Sequence, residues 1–155
     1  MMSAPRYLAQ RALTREWLHT ELPITVEQGP SYVLSGSGSF RGSLEPEIGG
    51  LDAPDGLPIL DEWGTFLFEE QDGVIRWGGI VTASAFNQDR QAWEVEAVEF
   101  SAYPHGEPYE GAAFRRSSID PAQAFRQVWA LVQDRPDADL GVKVTGASGF
   151  SASSR

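Results

Sequence analysis

The stretch from Trp63 to Val81, WGTFLFEEQDGVIRWGGIV, limits this chain more than any other part of it. Two apolar-rich runs meet at Asp72-Gly73, a dipeptide that supplies the two positive φ angles of a type I′ turn. A two-residue turn fixes the pairing of the strands it joins. In that register Phe68 faces Trp77, Glu69 faces Arg76, and Phe66 covers the gap left by Gly79. A slip of one residue loses the first two pairings. The hairpin is therefore an expectation about register as well as about strands. It carries architecture and no chemistry.

The rest of the chain reads as further strands with one helix. Arg6–Leu22 fits a helix poorly, because Leu8, Ala12, Trp17 and Leu18 make no clean stripe. A hairpin with its turn near Thr14-Arg15 fits better, and after Pro23 an extended pattern resumes at Ile24-Thr25-Val26. In SYVLSGSGSFRGSL (31–44) the Gly-Ser tract is short and bracketed by Tyr32, Leu34, Phe40 and Leu44, which predicts a bend or bulge within a sheet. Glu47–Leu51 has room for one helical turn. The second strand of the central hairpin runs on to Phe86, and Asn87–Gln91 is a polar loop. Trp93, Val95 and Ala97 then alternate with glutamates, until Val98 and Phe100 take over the apolar phase; such a switch predicts a bulge or a sheet corner. Tyr103–Phe114 is a long aromatic and proline-rich loop, and Tyr103, Pro104, His105 and Tyr109 are its interface candidates.

Pro121–Gln133 is the one strong helix. Asp120 is its N-cap, Pro121 its first residue and Gln123 a capping-box partner, and Phe125, Val128, Trp129 and Val132 form one stripe. Arg135-Pro136 stops it. Leu140, Val142 and Val144 alternate as a short strand, and 146–155 reads as a disordered tail. The expected fold is mainly β: an antiparallel barrel or closed sandwich over 1–118, a connecting helix and short strand over 119–145, then the tail. Phe66, Phe68, Trp77, Gly79, Trp93, Phe125 and Trp129 are the expected core or interface residues.

Composition narrows function mostly by exclusion. The 155 residues include no cysteine, so disulfides and thiolate metal sites are absent. No apolar run is long enough to span a membrane, and the amino-terminal 18 residues lack the apolar centre of a signal peptide. A net charge of −10 repels phosphates, which argues against nucleic-acid binding as a main activity, Arg115-Arg116 being the one local basic patch. His19 and His105 are the only histidines, and neither has a metal-ligand or triad context. Carboxylates occur as neighbours (Asp61-Glu62, Glu69-Glu70, Glu94 and Glu96, Glu107 and Glu110), and at Glu94 and Glu96 this is what a wet strand face requires. No nucleophile elbow, phosphate loop or dinucleotide fingerprint is present. Trp63, Trp77, Trp93, Tyr103 and Tyr109 read first as β core or protein interface and second as a sugar-stacking platform. The residues thus describe an acidic, β-rich, non-enzymatic assembly module, with no cofactor and no metal.

A resemblance sharpens this. SYVLSGSGSFRGSLEPE at 31–47, the segment from Asp55-Gly56 to Glu62-Trp63-Gly64-Thr65, and IRWGGIV at 75–81 resemble the N-terminal part of siphophage minor tail proteins, the tail-tip hub proteins common in phages of actinobacteria. FSAYPHGEPYEG at 100–111 and DPAQAFRQVWALVQDRPDADLGVKV at 120–144 agree with it, so the similarity runs from Tyr7 to Val144. No single motif is diagnostic; order and spacing carry the resemblance. It implies a structural β-barrel component of the tail tip, or baseplate hub. Such a component is trimeric, closes the tube, and contacts the tail tube, distal tail and tape measure proteins while DNA passes its lumen without specific binding. It would be assembled in the host cytoplasm and reside in the virion. The chain departs from the family in stopping at Arg155, where members continue into further domains, so activities of those domains are not carried over. A tail-associated carbohydrate-binding module or wall hydrolase is the alternative.

Overall fold

The computed structural model describes residues 3–34, 36–103, 115, 117, 119–134 and 138–141. It divides into two compact units, Met1–Tyr103 and Pro104–Arg155. The first is built on seven strands, β1 (Arg6–Arg11), β2 (Trp17–Leu22), β3 (Thr25–Gln28), β4 (Ser39–Leu44), β5 (Thr65–Gln71), β6 (Val74–Asn87) and β7 (Ala92–Glu99), with a helical turn α1 (Pro46–Gly49) and a 3-10 turn at Phe100–Ala102. The second contains α2 (Pro121–Gln133). The fold is mainly β, with one long helix near the carboxyl terminus.

All seven strands lie in one antiparallel sheet in the order β2-β1-β5-β6-β7-β4-β3. That order has a geometric consequence. Neighbours alternate in direction, so β2 and β3, first and seventh, run the same way. Yet only Pro23 and Ile24 separate them in sequence, and three peptide steps span at most about 11 Å. The sheet must therefore curl until its two outermost strands meet end to end. Pro23 supplies the corner where one extended run leaves β1 and joins β4. β2 and β3 do not hydrogen-bond side by side, so the sheet is not closed, and the unit is a sandwich with covalently joined edges.

Curling encloses a core of Tyr7, Leu22, Phe40, Leu44, Leu67, Trp77, Val81 and Val95. Ala53, Ile59 and Leu60 from the segment after α1 join the same core. β1 shows the reason at the level of sequence: Tyr7, Ala9 and Arg11 are buried while Arg6, Leu8 and Gln10, alternating with them, are not. A second, smaller aromatic layer lies on the opposite face, where Phe66 meets Phe100 edge-on at 4.9 Å and Phe68 packs on Phe100 and Trp17.

The central hairpin forms with its predicted turn: Asp72 and Gly73 both have positive φ, and Gln71 faces Val74. The register expected beyond the turn is corrected. After Glu70↔Ile75 comes Glu69↔Trp77, so Arg76 is an extra, bulged residue. Phe68 consequently faces Gly78 rather than Trp77, Gly79 faces Leu67 rather than Phe66, and Glu69 does not face Arg76. The bulge moves Trp77 to the interior against Phe40 and leaves Phe68 on the outer layer. The carbonyl of Arg76 accepts a hydrogen bond of 2.6 Å from the Tyr32 hydroxyl, which satisfies it where the ladder is disrupted.

Other expectations divide similarly. The hairpin at 6–22 is present, with Arg15 in the left-handed region at its turn. Of the pieces around the Gly-Ser tract, Phe40 and Leu44 lie in β4, while Tyr32 and Leu34 lie outside the sheet in the connection between β3 and β4, which bends at Leu34 and Gly36 and is not a bulge within a strand. The phase switch at Ala97-Val98 corresponds to a bulge in the partner strand, where Thr82 is the extra residue between Val81↔Ala97 and Ala83↔Glu96. α2 has the predicted limits, and the Asp120 carboxylate accepts from the Ala122 amide at 3.3 Å. Leu140 is buried but not in a strand, and 142–155 lie outside the described residues.

Candidate assembly surface

The most elaborate polar arrangement in the β unit is centred on Arg11, a residue the sequence reading passed over. It stands in the inward phase of β1 and is only 4% exposed. Its guanidinium makes a two-pronged contact with Asp55, Nε to Oδ2 at 2.7 Å and Nη2 to Oδ1 at 2.9 Å. It also donates to the Pro58 carbonyl at 3.2 Å and the Thr65 hydroxyl at 3.3 Å, with Asp61 at 3.8 Å. The Thr65 hydroxyl in turn donates to the Ile59 carbonyl and accepts from the Asp61 amide. Arg11 beside Asp55 holds that carboxyl below its ordinary range. One buried cation thus fastens the whole 55–65 segment to the sheet.

That segment presents Trp63. Its φ of 59° is unusual for a bulky side chain, its amide donates to the Val81 carbonyl at 2.7 Å, and 48% of the residue is exposed. The neighbouring carboxylates diverge: Asp61 turns to Arg11, while Glu62 accepts from the Ser84 amide. The other adjacent pairs are likewise taken up separately. Glu69 accepts from the Tyr7 hydroxyl at 2.8 Å, and Glu70 binds Arg6 and the Gly73 amide. Glu94 is held by Asn87 and Arg90, and Glu96 by Arg41. Burial, reinforced by the bond to Glu69, raises the Tyr7 hydroxyl well above its ordinary value. His19 accepts from the Glu21 amide through Nδ1, a local turn contact. Among the described residues no three metal-binding side chains converge.

The predicted core and interface residues fall in different places. Phe66, Trp77 and Trp129 are buried, as is Gly79, and Phe68 is half-buried. Trp93 is half-buried across Gly49 and Gly50, its Nε1–H donating to the Ser84 hydroxyl at 2.8 Å. Phe125 is 53% exposed. Tyr103 is half-buried after the 3-10 turn, and Pro104, His105 and Tyr109 lie outside the described residues. Trp77 in the core, Trp93 over α1 and Trp63 on the 55–65 segment make no flat aromatic strip.

Charge is distributed unevenly. Residues 1–103 hold 16 of the 22 carboxylates and only 6 of the 12 cationic side chains, so this unit accounts for the whole net charge of −10. Four of its six arginines (Arg6, Arg11, Arg41 and Arg90) are locked in ion pairs. Beside the acidic surface stands an apolar tip, where Tyr32, Val33 and Leu34 are exposed and the Tyr32 bond to Arg76 brings it to the start of β6, next to exposed Val74 and Ile75. No family model, curated protein or solved structure matches the chain.

Proposed function

We propose that the chain is a structural component of a phage tail tip, a hub or minor tail protein whose acidic β unit helps close the tail tube. The observation that carries this reading is the coincidence of a curled antiparallel sheet with a charge of −10 confined to that unit, its arginines mostly consumed by ion pairs. A surface of that kind offers DNA phosphates few cationic partners, which suits a passage that DNA must traverse without sticking. The motif order from Tyr7 to Val144 supports the same reading. In it the protein acts without catalysis or cofactor, assembles as a homotrimer, and touches the tail tube, distal tail and tape measure proteins in the virion.

The direct test is the mass of the purified chain by light scattering, with negative-stain images of the same sample. A trimer or ring is the expected result, and a monomer at all concentrations, alone and with tube protein, refutes it. A second consequence concerns exposed carboxylates that have no arginine partner among the described residues, such as Glu16, Glu21, Glu47 and Asp89. Those that face the lumen should slow DNA ejection when reversed to lysine, and unchanged ejection kinetics for all four reversed together would count against the lumen role.

A further inference from the structure

We propose that the free edge of β3 and the cleft at its start receive an extended, basic segment of a partner protein. Among the described residues β3 pairs with β4 on one side only, and all four of its residues are exposed. An unpaired strand edge is a row of main-chain donors and acceptors ready to take another strand. β3 carries no lysine or proline, and its bulge and its one charged residue coincide at Glu27, so Thr25 and Val26 are the part of this short edge left unblunted. Glu27 is the extra residue of a bulge against β4 and is bound by Arg90, and Thr25, two residues before it, lines the cleft.

The cleft is an open groove of about 420 Å³. Pro23, Leu44, Pro46 and Ile48 supply apolar walls and Thr25, Ser43, Glu45 and Gln91 polar groups, so the cleft runs from the start of β3 across the end of β4 to the start of β7. Its size admits one or two side chains of an arriving strand. Charge then selects the occupant. Residues 16–47 contain five glutamates and a single basic residue, Arg41, which is spent on Glu96 at 2.5 Å. The neighbouring Arg90 is spent on Glu27 and Glu94. Glu21, Glu45 and Glu47 have no cationic partner among the described residues, so a strand carrying Lys or Arg between apolar residues meets complementary charge. A second copy of this chain would bring the same acidic edge, and nucleic acid would bring phosphate, so both are disfavoured.

The inference is independent of the tail reading. Its test is selection of a displayed random nonapeptide library on the immobilised full chain, with oligomeric state measured separately. The expected peptides alternate basic and apolar residues and shift the amide resonances of residues 25–28 and 44–48. They should bind the Glu45→Lys/Glu47→Lys variant at least tenfold more weakly, with an unchanged near-ultraviolet dichroism spectrum showing that the variant is folded. N-methylation of alternate peptide amides, which removes strand pairing without touching the protein, should abolish binding. No enrichment over a bare surface overturns the proposal. So do acidic consensus peptides, or an affinity that neither the charge reversal nor the methylation changes.

Discussion

Trp77 offers the most direct check on how this sheet is held together. It is 3% exposed, its ring centroid lies 5.9 Å from that of Phe40, and a side chain at Gly79 would overlap the far end of its indole. An aromatic side chain buries roughly 150–250 Å². At about 25 cal/mol per Å² its removal forfeits about 4–6 kcal/mol. Measured aromatic-to-alanine losses in cores run about 3–5 kcal/mol, so about 4 is expected for Trp77→Ala. With a urea dependence of about 2 kcal/mol per molar, the unfolding midpoint should fall by about 2 M. Phenylalanine should behave differently. The Trp77 Nε1–H is buried without an acceptor among the described residues, a burden of roughly 1–3 kcal/mol that Trp77→Phe removes. That gain offsets part of the lost volume, and the net change should stay within about 1.5 kcal/mol. Urea titrations followed by far-ultraviolet dichroism would measure both. A loss below about 1 kcal/mol for alanine, or equal losses for the two variants, would refute the placement of Trp77 in the core.

Three further outcomes follow from the polar contacts and the packing. Arg11→Met should destabilise the β unit by about 3 kcal/mol in a urea titration, since it strips the partner from a buried hydrogen-bonded cluster and leaves the Pro58 carbonyl unpaired. A loss below about 0.5 would mean the 55–65 segment does not depend on it. Asp55, Glu70 and Glu27 are held below their ordinary values first by their arginine partners, and Asp72 by Ser3. Their stabilisation is therefore complete above ordinary carboxylate values of 3.8–4.5 and is lost as the pH falls further. Tyr7, raised above its ordinary 10.0, favours the folded state below that value and ceases to as the pH rises past it. Melting temperatures against pH should accordingly show a plateau with a drop at each end, and a steep decline between pH 7 and 5 would contradict this. Gly49→Ala should cost about 1–3 kcal/mol by thermal melting, because its methyl group would overlap the Trp93 indole; a neutral result would show that α1 yields freely.

The Asp72-Gly73 turn was legible because two positive φ angles require a particular pair of residues, and α2 because Asp120 and Pro121 mark its start. The register beyond the turn was not. Counting outward from a turn assumes one-to-one pairing, and Arg76, the inserted residue, is chemically ordinary; what stabilises the bulge is Tyr32, 44 positions away in the chain. The aromatic-over-glycine idea was sound in kind, with Phe68 facing Gly78 in place of Phe66 facing Gly79. Arg11 left a readable trace, since Tyr7, Ala9 and Arg11 share one phase of a strand and an arginine in a buried phase needs partners. Its partners, however, come from 44 to 54 residues away. Nothing in the local pattern of 52–65 announces them. The curl of the sheet was hidden for the same reason: Pro23 reads as a strand end until β2 and β3 are known to occupy opposite ends of the order.

Joined edges and concentrated charge bear on each other. A sheet whose first and last strands meet at Pro23-Ile24 cannot bury both free edges against itself, so β2 and β3 each keep one side without a strand partner among the described residues. Open edges normally invite pairing between copies. Here any such pairing brings together units of charge −10, four of whose six arginines are already committed, and at physiological ionic strength repulsion persists over about 8 Å, farther than the roughly 4.8 Å between paired strands. Acidity therefore protects the edges from self-association while leaving them available to a cationic strand. The proposed homotrimer would for the same reason have to be held by surfaces away from the acidic edges. Trp63 and the apolar tip at Tyr32–Leu34 are among the exposed apolar groups suited to such contact.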